Sequence, residues 1–274
     1  MFLSDSHIHS TCSDDAHNTM LEMAIASYSR GVSHVCFTDH CDLDNFETGL
    51  PDPYSFPNYG KMLKMYNEAL SGAPKEMTIR LGLELGEGNH DIKKAREIVS
   101  FGELDFVLGA IHNLKGRPDF YHTVFKDEAA AAKLIEGYLD ELLEMAEMDF
   151  FDVLAHLGYP VRYIRKAGLK TELDFDKYRD MLEKILKTLI ENGKGIEINC
   201  SGFRNPTFLR PMPDIDILRL YRELGGEIIT VGSDAHTAEA AGLGLKEGFE
   251  ILRDLGYKYV TVFEKRKPQF AKLS

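Results

Sequence analysis

The sequence lacks several features that would define a secreted, membrane-bound or nucleic-acid-binding protein. It has no signal-peptide pattern and no apolar run approaching the ~18 residues of a membrane-spanning helix. Among its four cysteines no pair has Cys-x-x-Cys spacing, which argues against a thiolate zinc site and a disulfide framework. A net charge of −12 opposes binding to nucleic acid and to acidic membrane surfaces. We therefore expect a soluble, cytoplasmic protein.

The chain also lacks linkers and internal repeats. No low-complexity segment divides its 274 residues, and 44% of them are apolar, enough for one well-buried core. Strand-like and helix-like segments alternate, which indicates βαβ crossovers and a parallel sheet. Seven such units predict an α/β fold with one barrel domain over residues 1–274.

The boundaries follow from apolar periodicity and helix-stop signals. After an opening strand that carries the first histidines, strands are predicted at 32–38, 78–83, 106–111, 153–155, 195–198, 228–232 and 259–263. Helices are predicted at 19–30, 61–70, 91–100, 128–148, 176–191, 214–224 and 246–255. Irregular composition predicts long loops over 41–60 and behind His156.

His7 and His9 lie two positions apart on the opening strand. Alternate side chains of a strand share a face, so both rings can reach one metal ion. A pair of this kind also occurs at ordinary polar strand edges. On its own, His-x-His is therefore a weak indication of a metal site.

The indication of a metal site is strengthened by further polar residues, each at the carboxyl end of a predicted strand. Successive members are between 28 and 44 residues apart. They are His9, His40, Glu84, His112, His156, Asn199 and Asp234. In α/β barrels this edge carries the active site, because the βα loops converge there. Together with Asp15 and His236, these imidazoles and carboxylates exceed the needs of one ion and suit zinc, iron or manganese.

These residues resemble the signature of the PHP (polymerase and histidinol phosphatase) superfamily. The ordered set comprises HIH at 7–9, TDH at 38–40, GLE at 82–84, His112, His156 and SDAH at 233–236. Within this superfamily the chain most resembles the monofunctional histidinol-phosphate phosphatases. The resemblance rests on its length, on FTDH at 37–40 and on IEINCSGFR at 196–204. The resemblance implies a distorted seven-stranded, TIM-like (β/α)7 barrel with three divalent ions, zinc, iron or manganese.

The resemblance also implies which residues hold these ions. The expected ligands are His7, His9, Glu84 and Asp234 for the first ion, Glu84, His112 and His156 for the second, and Asp15, His40 and His236 for the third. Asp14 is the alternative to Asp15, since the two acids are adjacent.

The resemblance further implies hydrolysis of L-histidinol phosphate, in histidine biosynthesis. A metal-bridging hydroxide held by Glu84, His7, His9 and Asp234 would attack phosphorus. Cys12 and Cys200 lie in no Cys-x5-Arg phosphate loop and are interpreted as packing residues.

Substrate contacts are expected from the loops behind these strands. Arginines suit the fork geometry of phosphate, and a carboxylate and aromatic rings suit the imidazole and ammonium groups of the substrate. A histidine or a metal-bound water could protonate the leaving alkoxide. The candidates are Arg162, Arg204 and Arg165 for phosphate, Asn199 for the loop backbone or the substrate, Asp42, Asp44, Tyr121 and Tyr163 for the cationic groups, and His17 or His122 for the proton.

Two other functions fit the same residues. A PHP-family phosphoesterase could act on another small phosphomonoester or on nucleic acid, although the acidic charge and the absence of basic tracks oppose the latter. An inactive metal-binding module is the second alternative, but it would be expected to have lost ligands, and every matched position is filled.

Overall fold

The computed structural model describes residues 2–44 and 57–273. Its strands are β1 (Ser4–Ile8), β2 (His34–Phe37), β3 (His40–Asp42), β4 (Thr78–Gly86), β5 (Phe106–Ala110), β6 (Val153–Leu154), β7 (Gly195–Asn199), β8 (Ile229–Gly232), β9 (Tyr259–Glu264) and β10 (Lys267–Lys272). Its helices are α1 (Met20–Ser29), α2 (Tyr59–Gly72), α3 (Ile92–Val99), α4 (Glu128–Ala146), α5 (Tyr159–Lys166), α6 (Phe175–Glu191), α7 (Ile215–Glu223) and α8 (Leu245–Asp254).

Seven parallel strands form a nearly closed barrel. Their order is β1, β2, β4, β5, β6, β7, β8, and the short strand β3 also pairs with β4. The barrel closes between β8 and β1 through two backbone hydrogen bonds, from Asp234 N–H to His7 O (2.7 Å) and from His9 N–H to Ala235 O (3.0 Å). The predicted seven-stranded barrel is thereby confirmed.

Side-chain caps fix where several of the surrounding helices begin. Thr19 and Glu22 form a capping box at α1, in which each side chain accepts a hydrogen bond from the other residue's backbone. Asp91, Asp127 and Asp174 cap α3, α4 and α6 by accepting a backbone N–H three residues later. These short polar residues satisfy amide groups that a helix leaves unpaired at its start.

The main hydrophobic core lies between the helices and the outer face of the barrel. A second, smaller cluster includes Phe106, the first residue of β5, which stacks on Phe263 of β9 with ring centroids 4.7 Å apart. The antiparallel β9–β10 hairpin is tied there by hydrogen bonds from Lys265 N–H to Asp105 and from Arg266 to Asp152. The opposite end of the barrel, where the strands finish, is left for polar side chains.

Four predictions of local structure need correction. The segment behind His156 contains the helix α5 instead of a loop, with Pro160 in its first turn, where the missing N–H costs nothing. Strand β4 continues past Glu84 to Gly86, and β9 is followed by β10. The predicted loop over 41–60 includes part of β3 and the start of α2, and its residues 45–56 lie outside the described residues. None of the helices in the described ranges has the length and apolar character needed to cross a membrane.

Candidate metal centre

The carboxyl ends of the strands bring the predicted imidazoles and carboxylates together in three adjoining clusters. At two of these ends the backbone is left-handed at a residue other than glycine, with φ of 24° at His156 and 52° at Asp234. Such conformations cost of order 1–3 kcal/mol and occur most often where function constrains a side chain. The chain therefore holds these two side chains in directions that regular strands would not give them.

The first cluster is formed by the residues expected for the first ion. His7 Nε2 lies 3.1 Å from His9 Nε2 and 3.2 Å from Glu84 Oε2. Asp234 Oδ1 lies 3.5 Å from His9 Nε2 and 3.9 Å from His7 Nε2. Both histidines and Glu84 are fully buried. Four potential ligand atoms thus surround one small volume.

The second cluster shares Glu84 with the first. His156 Nε2 lies 2.8 Å and His112 Nε2 3.3 Å from Glu84 Oε1, and the two imidazole nitrogens are 3.3 Å apart. Glu84 therefore presents Oε2 to the first cluster and Oε1 to the second. This arrangement would let Glu84 hold two ions at once, one through each oxygen.

The third cluster lies nearer the surface. Asp15 Oδ2 is 3.1 Å from His236 Nε2 and 3.8 Å from His40 Nε2, and these two nitrogens are 3.4 Å apart. Of the adjacent acids Asp14 and Asp15, it is Asp15 whose carboxylate faces these rings. The third predicted set is thus also brought together.

Hydrogen bonds donated by Nδ1–H determine where the lone pairs of four imidazole rings point. The Nδ1 contacts are His7 with Glu197 Oε1 (2.8 Å), His9 with Ser13 Oγ (3.2 Å), His112 with Asp42 Oδ1 (3.1 Å) and His236 with Asp234 O (3.2 Å). Each partner accepts, because Ser13 Oγ gives its own proton to Asp39. In the neutral ring the lone pair then lies on Nε2. The four Nε2 atoms all face the clusters, where they are placed to coordinate a cation.

Glu84 provides a second test of whether these residues fit metal ions. Its Oε2 atom is buried and lies 2.9 Å from His40 Nδ1, 3.2 Å from His7 Nε2 and 3.6 Å from His9 Nε2. No donor among the described residues makes a hydrogen bond of good geometry to it. A buried anionic oxygen without a donor is costly unless a cation binds it. The donor set fits hard-to-borderline divalent ions.

The electrostatics keep the carboxylates ionised. Burial raises the pKa of Glu84, but His7, His40 and His112 outweigh that effect and hold the pKa well below its usual value. Burial likewise opposes a charge on His40, yet Glu84 raises the pKa of this ring to about 10. For His9, burial and the neighbouring rings of His236 and His40 together hold the pKa well below its usual value. The site thus combines an ionised Glu84 with at least one neutral imidazole, that of His9.

Glu197 on β7 is a residue that the sequence analysis missed. Its Oε1 accepts the hydrogen bond from His7, and its Oε2 accepts from His156 N–H (3.0 Å) and from Asn199 Nδ2 (3.2 Å). It is buried and touches two clusters at once. The signal was available, because Glu197 and Asn199 are alternate residues of one strand and share its inner face.

Asp39 plays a comparable part behind the first cluster, and the sequence analysis also missed it. Its carboxylate accepts hydrogen bonds from the backbone N–H groups and hydroxyls of Ser10 and Ser13. The Ser13 hydroxyl in turn contacts His9, as described above. Asp39 therefore fixes the loop that follows β1 and orients the second histidine of the pair.

A cavity of about 560 Å³ opens over the three clusters, and a second of about 530 Å³ adjoins it. Arg162 lines both cavities, its guanidinium lying 4.8 Å from the Tyr159 ring centroid and 4.9 Å from that of Tyr163. Arg204 lines the second cavity and donates to Asp234 O (3.1 Å). Two of the predicted phosphate-binding arginines thus border the space beside the clusters.

Asn199 orients the groups around it. Its side-chain oxygen accepts hydrogen bonds from Ser201 N–H (3.0 Å) and from the Ser201 hydroxyl (2.6 Å). Its amide nitrogen donates to Asp234 Oδ2 at 3.2 Å. Asn199 therefore links the loop after β7 to a carboxylate of the first cluster.

Of the remaining predicted substrate contacts, some line the cavity over the clusters and others lie outside it. Asp42 and His122 line the first cavity, although Asp42 is held against His112. Arg165 forms an ion pair with Glu172 and borders a different depression. His17 is exposed and contributes its backbone N–H to His236 O, outside the lining of both cavities. Asp44 accepts hydrogen bonds from Gly116 N–H and the His90 ring.

Comparison with known proteins gives consistent matches. The PHP domain model matches residues 5–201. A probable histidinol-phosphatase from Thermotoga maritima is 31% identical over 265 residues, covering 96% of both chains. A histidinol-phosphatase from Lactococcus lactis is 25% identical and covers 96% of this chain and 95% of its own.

Among solved structures, one match is the histidinol phosphate phosphatase of Lactococcus lactis in complex with zinc, L-histidinol and phosphate. Its TM-score is 0.77 at 23% identity, and the alignment covers 97% of this chain and 98% of that one. At this level of identity the match shows a shared fold.

Proposed function

The chain belongs to the PHP domain family, and we propose that it is a metal-dependent phosphomonoesterase that hydrolyses L-histidinol phosphate to L-histidinol and phosphate. The observation that carries the proposal is that imidazole nitrogens surround both oxygens of Glu84. They meet where the barrel strands have their carboxyl ends. The substrate follows from the names of relatives that align over nearly the full length of the chain.

Three ions account for the three clusters. We assign His7, His9, Glu84 and Asp234 to the first ion, Glu84, His112 and His156 to the second, and Asp15, His40 and His236 to the third. Zinc, iron and manganese all accept these ligands. The zinc in the similar Lactococcus lactis structure makes zinc the first ion to test. Bound ions of this kind supply a hydroxide nucleophile at neutral pH and neutralise charge on the phosphoryl oxygens.

Arg162 and Arg204 are the proposed phosphate ligands. Arg162 lies against two tyrosine rings and donates hydrogen bonds to Ser201 Oγ and Tyr163 Oη. Its other guanidinium N–H groups can bind a ligand. Arg204 is held by the carbonyls of Asp234 and Leu243. A positive charge on a fixed frame binds a phosphate dianion at little entropic cost.

The leaving alkoxide must gain a proton. Of the two histidines considered, His122 lines the cavity over the clusters, whereas His17 is exposed and outside that lining. We therefore assign the proton donor to His122. Arg165 is left out of the substrate-binding set for the same reason as His17, because its guanidinium is engaged by Glu172 away from the cavity.

The proposal extends to the setting of the enzyme. We expect one barrel domain over 1–274, acting in the cytoplasm on a small anionic substrate. The net charge of −12 disfavours nucleic acid as an alternative substrate. A different small phosphomonoester is the alternative that the site chemistry leaves open.

The deciding experiment measures phosphate release from a panel of phosphomonoesters and from a nuclease substrate, with metal analysis of the same sample. We expect a strong preference for L-histidinol phosphate, loss of activity after chelation and recovery on adding zinc or manganese. Equal turnover of unrelated esters would overturn the substrate, and fewer than two ions per chain in an active sample would overturn the trinuclear site. A chain that binds metal but hydrolyses nothing would support the inactive module.

A further inference from the structure

We propose that His90 is a positioning residue that holds the loop between β5 and α4 in place, and with it His122, the proposed proton donor. His90 lies outside the three metal clusters and lines neither of the two cavities. The part of the inference that concerns His122 rests on the proposed function, whereas the part that concerns the loop does not.

The His90 ring lies between two carboxylates. Its Nδ1 is 3.0 Å from Asp44 Oδ2, and its Nε2 forms a hydrogen bond with Glu141 Oε2. The His90 side chain is only 5% exposed. An imidazole that donates from both nitrogens carries both protons and therefore a positive charge. Hydrogen bonds between charged groups are roughly twice as strong as neutral ones, so the ring joins the two acids firmly.

Both carboxylates also hold the loop after β5. Glu141 Oε1 accepts a hydrogen bond from Lys115 N–H at 2.8 Å. Asp44 Oδ2 accepts one from the next amide, Gly116 N–H, at 3.1 Å. His90 thus links the residue that follows β3, the turn after β4 and the helix α4 to two consecutive amides of one loop.

The charge of Glu141 depends on this arrangement. Burial raises its pKa, but the hydrogen bonds from the His90 ring and from Lys115 N–H outweigh that effect and hold the pKa below its usual value. Without the imidazolium, Asp44 and Glu141 would be two partly buried carboxylates with no cation between them. Removing one partner of a buried charged group leaves the other unpaired, which is costly, so the two acids would separate and release the loop amides.

The loop transmits this restraint to His122. Asp119 lies three positions after Gly116, and its carbonyl oxygen accepts the His122 N–H at 2.9 Å. His122 lines the cavity over the metal clusters. A catalytic group that is misplaced by about 1 Å can cost roughly 100-fold in rate, so a loop held at Gly116 favours proton transfer by His122.

The first test measures amide hydrogen exchange at residues 115 and 116 in the metal-loaded protein without substrate. We expect exchange to become roughly 10- to 100-fold faster in His90→Gln. The double variant His90→Gln/Glu141→Gln loses one of the two opposed carboxylates but keeps an acceptor for Lys115 N–H. It should regain most of the protection, whereas a role of His90 in packing alone would give no such rescue.

The second test compares two esters with different leaving groups. The alkoxide of L-histidinol phosphate needs a proton to leave, whereas p-nitrophenolate leaves without one. For His90→Gln we expect kcat for L-histidinol phosphate to fall roughly 10-fold, as part of the contribution of a general acid, with little change for p-nitrophenyl phosphate. Metal content should equal that of wild type.

Asp140→Asn is the matched control, since it removes one carboxylate from an exposed position of α4, and it should match wild type in both tests. Unchanged exchange in His90→Gln would overturn the proposal. Faster exchange without rescue, loss of bound metal, or an equal loss of activity on both esters would show a general structural role and also overturn it. A wild-type protein without activity on L-histidinol phosphate would overturn the proposed function, while the exchange comparison would still decide the role of His90 in the loop.

Discussion

Glu197 supports the candidate metal centre by accepting hydrogen bonds from the His7 ring and the His156 backbone. Carboxylates that accept the second N–H of a metal-binding histidine fix its orientation and raise its basicity, and removing them typically lowers metal affinity 10- to 100-fold. We predict a loss of this size for Glu197→Gln, measured by competition with a chelator of known affinity. The glutamine keeps the shape but loses the charge that faces His7.

The control for this prediction is Glu183→Gln, which changes a partly exposed glutamate paired with Lys187 on α6. It should bind metal as wild type does. Wild-type affinity in Glu197→Gln would show that hydrogen bonding without charge is sufficient to orient His7.

Asp14 and Asp15 form a natural pair of variants. Asp15→Asn removes the carboxylate that lies 3.1 Å from His236, so we predict the loss of one ion of three. Asp14→Asn should retain all of them. Metal per chain, measured after gel filtration in metal-free buffer, distinguishes the two. The opposite result would assign the ligand to Asp14.

The sequence predicted the side chains that converge at the strand ends better than the residues that support them. The ordered histidines, Glu84 and Asp234 could be predicted because the strand ends of a barrel necessarily converge. Asp42 was predicted as a substrate contact, but the structure holds it against His112, because β3 pairs with β4 beside that ring. Which of several loop carboxylates faces a ring depends on loop conformation, and residue spacing does not determine it.

At the scale of single elements, β8 depends on a glycine. A Cβ on Gly232 would lie 2.3 Å from Glu197 Oε1 and 2.3 Å from the Cβ of His7. We predict that Gly232→Ala lowers the free energy of unfolding by about 1–3 kcal/mol, as overpacking in a core does, and weakens metal binding as well. Urea unfolding with metal analysis measures both.

Gly102→Ala is the matched control for Gly232→Ala. A Cβ at Gly102 would meet no atom within 4 Å, and its φ is not positive. We expect wild-type stability and metal content for this variant. A destabilisation equal to that of Gly232→Ala would indicate a general cost of alanine and contradict the steric argument.

The first residue of β2 makes stability depend on pH. Burial, with a smaller effect of Arg80, lowers the pKa of His34 from 6.5 to about 4. Between these values the unfolded chain binds a proton that the folded chain excludes, so this residue destabilises the fold as pH falls from about 6.5 to about 4. The penalty reaches about 3 kcal/mol at most.

His34→Gln should remove this dependence. The difference in unfolding free energy between the variant and wild type is therefore expected to shift in favour of the variant as pH is lowered from 7 to 4.5. Subtracting the two curves cancels the contributions of the other titrating groups. A difference that stays constant with pH would contradict the assignment.

Helix prediction succeeded where the periodicity was long and failed for the short helix α5. The helices α4 and α6 extend over 19 and 17 residues, and both were predicted near their observed limits. The eight residues of α5 were interpreted as loop because Gly158 and Pro160 begin the segment. Here glycine takes a φ of 100° as the cap and proline occupies the first turn, so these residues start the helix instead of preventing it.

For the whole molecule, bound ions are expected to contribute much of the stability. A ligand that binds only the folded state at 100 times its Kd adds about 2.7 kcal/mol per site. We predict that chelation lowers Tm by at least about 5 °C and that zinc or manganese restores it. Calorimetry of the holo and metal-free protein measures the shift. An unchanged Tm would contradict a metal centre that joins the barrel strands.

The architecture could be predicted because alternation of strands and helices leaves few topologies. The strand β10 was not predicted, and neither was the packing of the hairpin on Phe106, which joins residues more than 150 positions apart in sequence. Such contacts depend on how the chain folds around the barrel, which no local sequence pattern describes.

The seam between β1 and β8 also has a consequence for how the chain is made. Residue 7 leaves the ribosome 227 residues ahead of residue 234, yet the two share a hydrogen bond and one cluster. At about 5–20 residues per second this interval is roughly 10 to 45 seconds. During synthesis the first histidines must therefore wait for nearly the whole chain, and a prematurely terminated product lacks the carboxylate that completes their cluster.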